Sequence, residues 1–135
     1  MMRENQALTI EYRIQDQDLA KSMVLSEEDD FPEVFATSRM IALMELAAAR
    51  LMKSTLGESQ LSVGVGLNVT HLAATPNHEV VQARAVFLGR EGKLYVFDVE
   101  VSDRGGVVGK GKHTRALIEK ERLVSSAYKR LENKT

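Results

Sequence analysis

The chain contains no cysteine. That excludes a disulfide scaffold, a cysteine nucleophile, an iron–sulfur cluster and any thiolate zinc site. Proline is nearly absent too: Pro32 and Pro76 are the only two, and they mark turns and not domain boundaries. No charge of one sign dominates, since 18 Lys plus Arg face 19 Asp plus Glu for a formal net charge of −1. A nucleic-acid binder would normally carry a basic excess. Long apolar runs are also missing. The opening MMRENQALTIEYR has no apolar core of signal-peptide length. The most apolar stretch, Met40 to Met52, is interrupted by Glu45 and Arg50 and is too short to span a bilayer. The expectation is one domain over residues 1–135, cytoplasmic, with no nucleic-acid or membrane partner. Hydrophobic residues make up 44% of it, enough to bury a core.

What is present changes its period along the chain. Residues from about Leu8 to Val24 read as one extended segment with a break near Asp16–Asp18. From Ser38 to Lys53 the sequence is rich in Ala, Leu, Met and Ile and lacks Gly and Pro, which favours helix. Thr37 or Ser38 can cap it, and its apolar residues run all the way round, as in a helix at the middle of a protein. After Gly57 the period becomes two. Val63, Val65, Leu67 and Val69 alternate with Gly64, Gly66, Asn68 and Thr70, a half-buried strand. Three more strands follow at about Val80–Leu88, Leu94–Val101 and Val107–Ile118, linked by the hairpin turns Gly89–Gly92 and Asp103–Gly106. The tail from Glu119 to Lys134 reads as a short surface helix. An antiparallel sheet curled around one central apolar helix is an α+β fold, the hot-dog architecture.

Within that frame a few polar residues stand out. Glu45 is a carboxylate midway along an apolar helix, where desolvation demands a partner. It is either a structural Glu paired with Arg50 or a sheet residue, or a functional acid of the kind that concentrates at active sites. His71 ends the stripe Val63–Val69 and so faces the core. Alone it is a satisfied core residue; with Glu45 on the enclosed helix it completes the minimum carboxylate–imidazole pair for proton transfer. Thr37 at the helix start is either an N-cap or a group set beside free amides that suit a developing oxyanion. Thr37 and Glu45 lie eight residues apart, roughly 12 Å along a helix, so they do not touch directly. His71, His78 and His113 have no metal-ligand spacing. Gly106–Lys112 begins like a P-loop, but His113 replaces the Ser/Thr and a strand follows. No metal is expected.

The stretches FPEVFAT (Phe31–Thr37), LMELA (Leu43–Ala47), VTHLAATP (Val69–Pro76) and GKHTRA (Gly111–Ala116) closely resemble the fluoroacetyl-CoA thioesterase family of hot-dog proteins. The similarity covers about residues 30 to 118. The resemblance implies a catalytic Thr, Glu and His at Thr37, Glu45 and His71. It also implies a lid phenylalanine at Phe31, and a pocket-lining Gly and Arg at Gly64 and Arg115. It implies a homodimer with active sites at the interface, an acyl-CoA substrate, and no cofactor beyond the CoA that the substrate carries. The segment LAAARLM after Glu45 is smaller than in the fluoroacetyl-specific member and lacks its tryptophan. The expected activity is therefore hydrolysis of a short acyl-CoA, with a hydratase/dehydratase or a non-catalytic acyl-CoA-binding module as rivals. Arg84, Arg90, Lys93, Lys110 and Lys112 are candidate contacts for the CoA phosphates.

Overall fold

Five antiparallel strands form one sheet: β1 (Ala7–Arg13), β2 (Gln60–His71), β3 (Val80–Glu91), β4 (Leu94–Asp103) and β5 (Gly106–Glu119), in the spatial order β1-β3-β4-β5-β2. The computed structural model describes residues 1–132. Helix α1 (Thr37–Met52) lies across one face of the sheet, in contact with β1, β2, β3 and β4. Helix α2 (Lys120–Glu132) follows β5 and buries no residue. The expected end of that tail, at Lys134, lies outside the described residues.

Strand alternation builds the core. Val81, Ala83, Ala85 and Phe87 of β3 and Phe97, Val99 and Val101 of β4 are buried at period two. The register sets Ala83 opposite Val101, Ala85 opposite Val99 and Phe87 opposite Phe97, so both strands turn one apolar stripe to the helix. The helix answers with Met40, Leu43, Met44, Ala47, Ala48, Leu51 and Met52, spaced three and four apart. Each buried Leu or Met side chain is worth about 1.5–3 kcal/mol of transfer free energy. This is the hot-dog architecture, an α+β fold.

Four local readings need correction. The helix is not enclosed on every side, because Leu46 is 40% exposed and Ala42 lies at the surface. Its N-cap is Ala36, whose methyl side chain makes no capping bond, and Thr37 is the first helical residue, with its hydroxyl turned to His71. The stripe Val63–Val69 is broken by a β-bulge between Gly64 and Gly66. One extra residue reverses the alternation, so Gly64 before the bulge shares the helix-facing side with Leu67, Val69 and His71 after it. In the β3–β4 hairpin Glu91 pairs with Leu94, so Gly92-Lys93 makes the turn with Gly92 at φ +61°, while Gly89 belongs to a bulge.

The extended segment expected to run to Val24 stops at Arg13, and two short 3₁₀ turns at Asp16–Asp18 and Ala20–Met23 follow. Buried Asp18 is the cause. Its carboxylate accepts from the Gln15 amide at 2.8 Å, the Tyr12 hydroxyl at 2.5 Å and Arg39 Nε at 2.9 Å. The bond from Tyr12 raises that phenol's pKa, with burial and the Asp18 charge adding to it. Arg39 sits two residues after Thr37, so this cluster anchors the start of α1. Asp18→Ala should cost roughly 2–3 kcal/mol, the range for lost bonds to a charged group when the stranded Arg39 can still reach water. A lowered urea midpoint at unchanged slope is the expected reading.

Candidate active site

The first residue of α1 and the last of β2 meet. Thr37 Oγ1 lies 2.8 Å from His71 Nδ1. A backbone strap holds the approach to the helix: the Ala20 amide donates to Val34, Lys21 to Pro32, Phe35 to Thr75 and Ala36 to Asp18. Phe35, fully buried, sets its ring edge against the imidazole at a centroid distance of 6.5 Å and an interplanar angle of 83°. The amides of Arg39 and Met40 both return to the Ala36 carbonyl, which, among the described residues, leaves those of Thr37 and Ser38 as the open donors of the first turn. A cleft of about 430 Å³ opens here, walled by Val34, Phe35, Ala36, Thr37, His71 and Ala73. His71 Nε2 is buried and, among the described residues, has no hydrogen-bond partner. A buried polar atom without a partner is uncommon and marks a place where one is to be supplied.

A second cluster forms around Arg115. Its Nε donates to Ser62 Oγ at 2.9 Å, Nη2 to the Ser62 carbonyl at 3.0 Å, and Nη1 lies 3.3 Å from Glu45 Oε2 and 3.1 Å from His113 Nε2. His113 Nδ1 is 2.8 Å from the Gly66 carbonyl oxygen. Burial pulls the Arg115 guanidinium below its usual pKa, and the Glu45 charge opposes that, so the group stays a cation. Gly64 pairs with Arg115 across the strands, and a larger residue there would require the Glu45 carboxylate to shift. A Cβ there would lie 2.5 Å from Glu45 Oε2 and 3.3 Å from His113 Cε1. Of the two structural partners conceivable for Glu45, the sheet residue is the one observed, and the carboxylate side chain keeps 39% exposure.

The structure therefore brings Thr37 to His71, and Glu45 to Arg115 and Gly64, but does not join the two groups within one chain. The reading that Glu45 and His71 point into one shared interior needs correcting. His71 faces Gly109 on β5, and Arg115 is six residues further along that strand, roughly 20 Å at about 3.3 Å per residue. On the helix, Thr37 and Glu45 are separated by the roughly 12 Å expected of their spacing.

Phe31 is 47% exposed, beside the strap and next to Pro32, which lines the cleft. Arg84, Lys110 and Lys112 stand on the outer face of the sheet, with Lys112 paired to Asp98 at 2.5 Å and Arg84 and Lys110 flanking Glu100. They are thus on the opposite face from α1. Arg90 covers the Tyr95 ring at 5.1 Å. Among the described residues no three His, Asp or Glu side chains cluster as a metal site, and no helix is long and apolar enough to cross a membrane. Sequence reading missed His113, Phe35 and Ser62. For His113 a signal existed, because i and i+2 on a strand share a face and Arg115 had been singled out.

Comparison with known proteins agrees with this architecture. A family model described as fluoroacetyl-CoA-specific thioesterase, FlK, matches residues 14–121. The fluoroacetyl-CoA thioesterase of Streptantibioticus cattleyicolor is 40% identical over 94 residues, which is 70% of this chain and 68% of that protein. A solved structure of the fluoroacetyl-CoA thioesterase FlK superposes with a TM-score of 0.91 at 32% identity, covering 96% of this chain and 97% of that one. A thioesterase superfamily member from Thermus thermophilus shares the fold at 23% identity, with a TM-score of 0.83 over 96% and 93% of the two chains. By the extent of the family match and the identity to its curated member, the chain belongs to the FlK family of fluoroacetyl-CoA-specific thioesterases.

Proposed function

We propose that this protein hydrolyses short acyl-CoA thioesters to the free acid and CoA, with Thr37, His71 and Glu45 as the reacting set. The observation that carries the reading is the 2.8 Å contact between Thr37 Oγ1 and His71 Nδ1 at the mouth of a cleft. A hydroxyl within hydrogen-bond reach of an imidazole is the arrangement of an activated nucleophile or of a base holding one. The carbon–sulfur bond of the thioester breaks as a carbon–oxygen bond forms, and the proton that His71 takes from the attacking group passes to the departing CoA thiolate. Attack by water gives the free acid directly, whereas attack by the Thr37 hydroxyl gives an acyl ester that a water activated by His71 then hydrolyses, returning the proton to Thr37. The open amides of Thr37 and Ser38 at the positive end of α1 suit the oxyanion that develops on the carbonyl.

The role of Glu45 requires a second copy of the chain. Strand β2 ends the sheet order and exposes Leu61, Val65 and Leu67; such an edge calls for a partner strand. A two-fold axis near Leu67 and Asn68 would run two β2 strands antiparallel and set His71 of one protomer near Gly64 of its partner. A carboxylate beside Gly64 then meets the orphaned Nε2, fixing the tautomer in which Nδ1 accepts the Thr37 proton. The homodimer and its interface sites follow from this reading.

The test is a panel of acyl-CoAs (acetyl, fluoroacetyl, propionyl and crotonyl) assayed in parallel for free thiol and for hydration. Thiol release is expected. Hydration of crotonyl-CoA without thiol release, or tight binding without turnover, would defeat the proposal. Gly64→Ala should lower kcat by on the order of a hundredfold, the scale of an ångström-level misplacement, because the new methyl displaces the Glu45 carboxylate. Phe31→Ala should reorder the acyl preference while the melting temperature barely moves, since the ring is half exposed. An unchanged preference with lowered stability would make Phe31 a hydrophobic staple of the helix entry.

A further inference from the structure

His113 lies on the helix-facing side of β5, wholly buried, between the Phe97 ring at 6.4 Å and Leu67 across the β2 ladder. Burying an imidazole in apolar surroundings is costly unless both nitrogens are satisfied. Here both are, and their partners dictate the proton's position. A guanidinium only donates, so Nε2 accepts from Arg115 Nη1 at 3.1 Å. Nδ1 therefore carries the proton and donates it to the Gly66 carbonyl oxygen at 2.8 Å.

Every nitrogen of the guanidinium is committed. Nε and Nη2 go to Ser62, and Nη1 is shared between His113 and Glu45. The direction in which Nη1 presents its second proton to Glu45 thus depends on His113 taking the first. The same imidazole ties down the Gly66 carbonyl beside the bulge, and the bulge turns Gly64 inward to make space for the Glu45 carboxylate. We infer that His113 is a positioning residue for the hydrolysis: as a neutral Nδ1–H imidazole it aims Arg115, and through Arg115 it fixes the carboxylate of Glu45. The inference rests on the role proposed for Glu45 above.

The groups facing the imidazole are Arg115 on its own strand, Glu45 on α1, the Gly66 carbonyl on β2 and Phe97 on β4. Burial and then the Arg115 charge push its pKa down, against the Gly66 bond and the Glu45 charge. A protonated His113 would set two donors face to face, lose the acceptor for Nη1 and release Glu45. Because the folded-state value lies below the ordinary 6.5, the stability this group contributes is full above the ordinary value and is lost as pH falls from there through the depressed folded-state value.

Two variants separate positioning from packing. In His113→Gln the amide oxygen reaches toward the Nε2 position and accepts from Arg115. In His113→Asn the shorter amide serves the Gly66 carbonyl and falls short of Arg115. In thiol release from acetyl-CoA and fluoroacetyl-CoA, His113→Asn should lose on the order of tenfold or more in kcat with KM little changed. His113→Gln should return to within about threefold of wild type and lose the part of the acid limb that His113 supplies. Imidazole ¹⁵N shifts should show the neutral Nδ1–H tautomer at pH 7. An imidazolium or Nε2–H tautomer overturns the inference. So does loss of kcat that follows the melting temperature equally in both variants. Full activity in His113→Asn beside an inactive Glu45→Gln overturns this inference alone, whereas full activity in Glu45→Gln overturns the proposed role of Glu45 with it.

Discussion

Two inactive variants, Glu45→Gln and His71→Ala, are expected to restore thioester hydrolysis to each other when co-expressed. Each alone should lose on the order of a hundredfold or more in kcat, as for removal of a general base or its orienting carboxylate. In a mixed dimer one site combines the intact His71 of the first protomer with the intact Glu45 of the second, while the other site carries both lesions. Random pairing makes about half of the dimers mixed, so about a quarter of wild-type activity should return. The reason is geometric. Within one chain His71 and the Arg115–Glu45 cluster are separated by six residues of β5 along the β2–β5 ladder, too far apart for one acyl group. Glu45 is partly exposed and Gln keeps an acceptor for Arg115, so folding should survive. No recovery in a preparation proven to contain mixed dimers would sink the composite site, and a catalytically active monomer in light scattering would sink it equally.

The second large effect concerns Thr37 and His71 as a unit. Each to Ala should reduce kcat on the order of a hundredfold or more, and the double variant should be hardly worse than either single one, because paired catalytic groups are not additive. Thr37→Ser should keep measurable turnover, since a hydroxyl is retained. Stability is a clean control here. The helix N-cap is Ala36 without a side-chain bond, so Thr37→Ala removes no cap and should shift the melting temperature by a few degrees at most, as for a surface substitution worth under about 0.5 kcal/mol. Near-normal turnover by folded Thr37→Ala would show that the 2.8 Å contact is only a structural hydrogen bond, and additive losses in the double variant would show that the two residues act separately.

Much of this protein was legible from local chemistry. The helix from Ser38 to Lys53 follows from its Ala, Leu, Met and Ile content and its lack of Gly and Pro, and the change to period two after Gly57 follows from residue spacing. Glu45 stood out because a carboxylate among Ala, Leu and Met must find a partner, and Arg115 is that partner. The tertiary structure decided what spacing cannot express. A single extra residue at the Gly64–Gly66 bulge reversed which side chains of β2 face the helix, and alternation read from sequence carries no mark of it. Strand order set β2 beside β5, which gave Gly64 to Arg115 and made His113 the hinge of that cluster. Thr37 falls at the first helical position and not at the cap, and its hydroxyl meets His71 because the strap through Val34 and Phe35 carries the end of β2 and the start of α1 to within a hydrogen bond. Periodicity reports which face a residue belongs to, whereas contacts between elements distant in sequence depend on register and loop closure, and those are settled only when the chain packs.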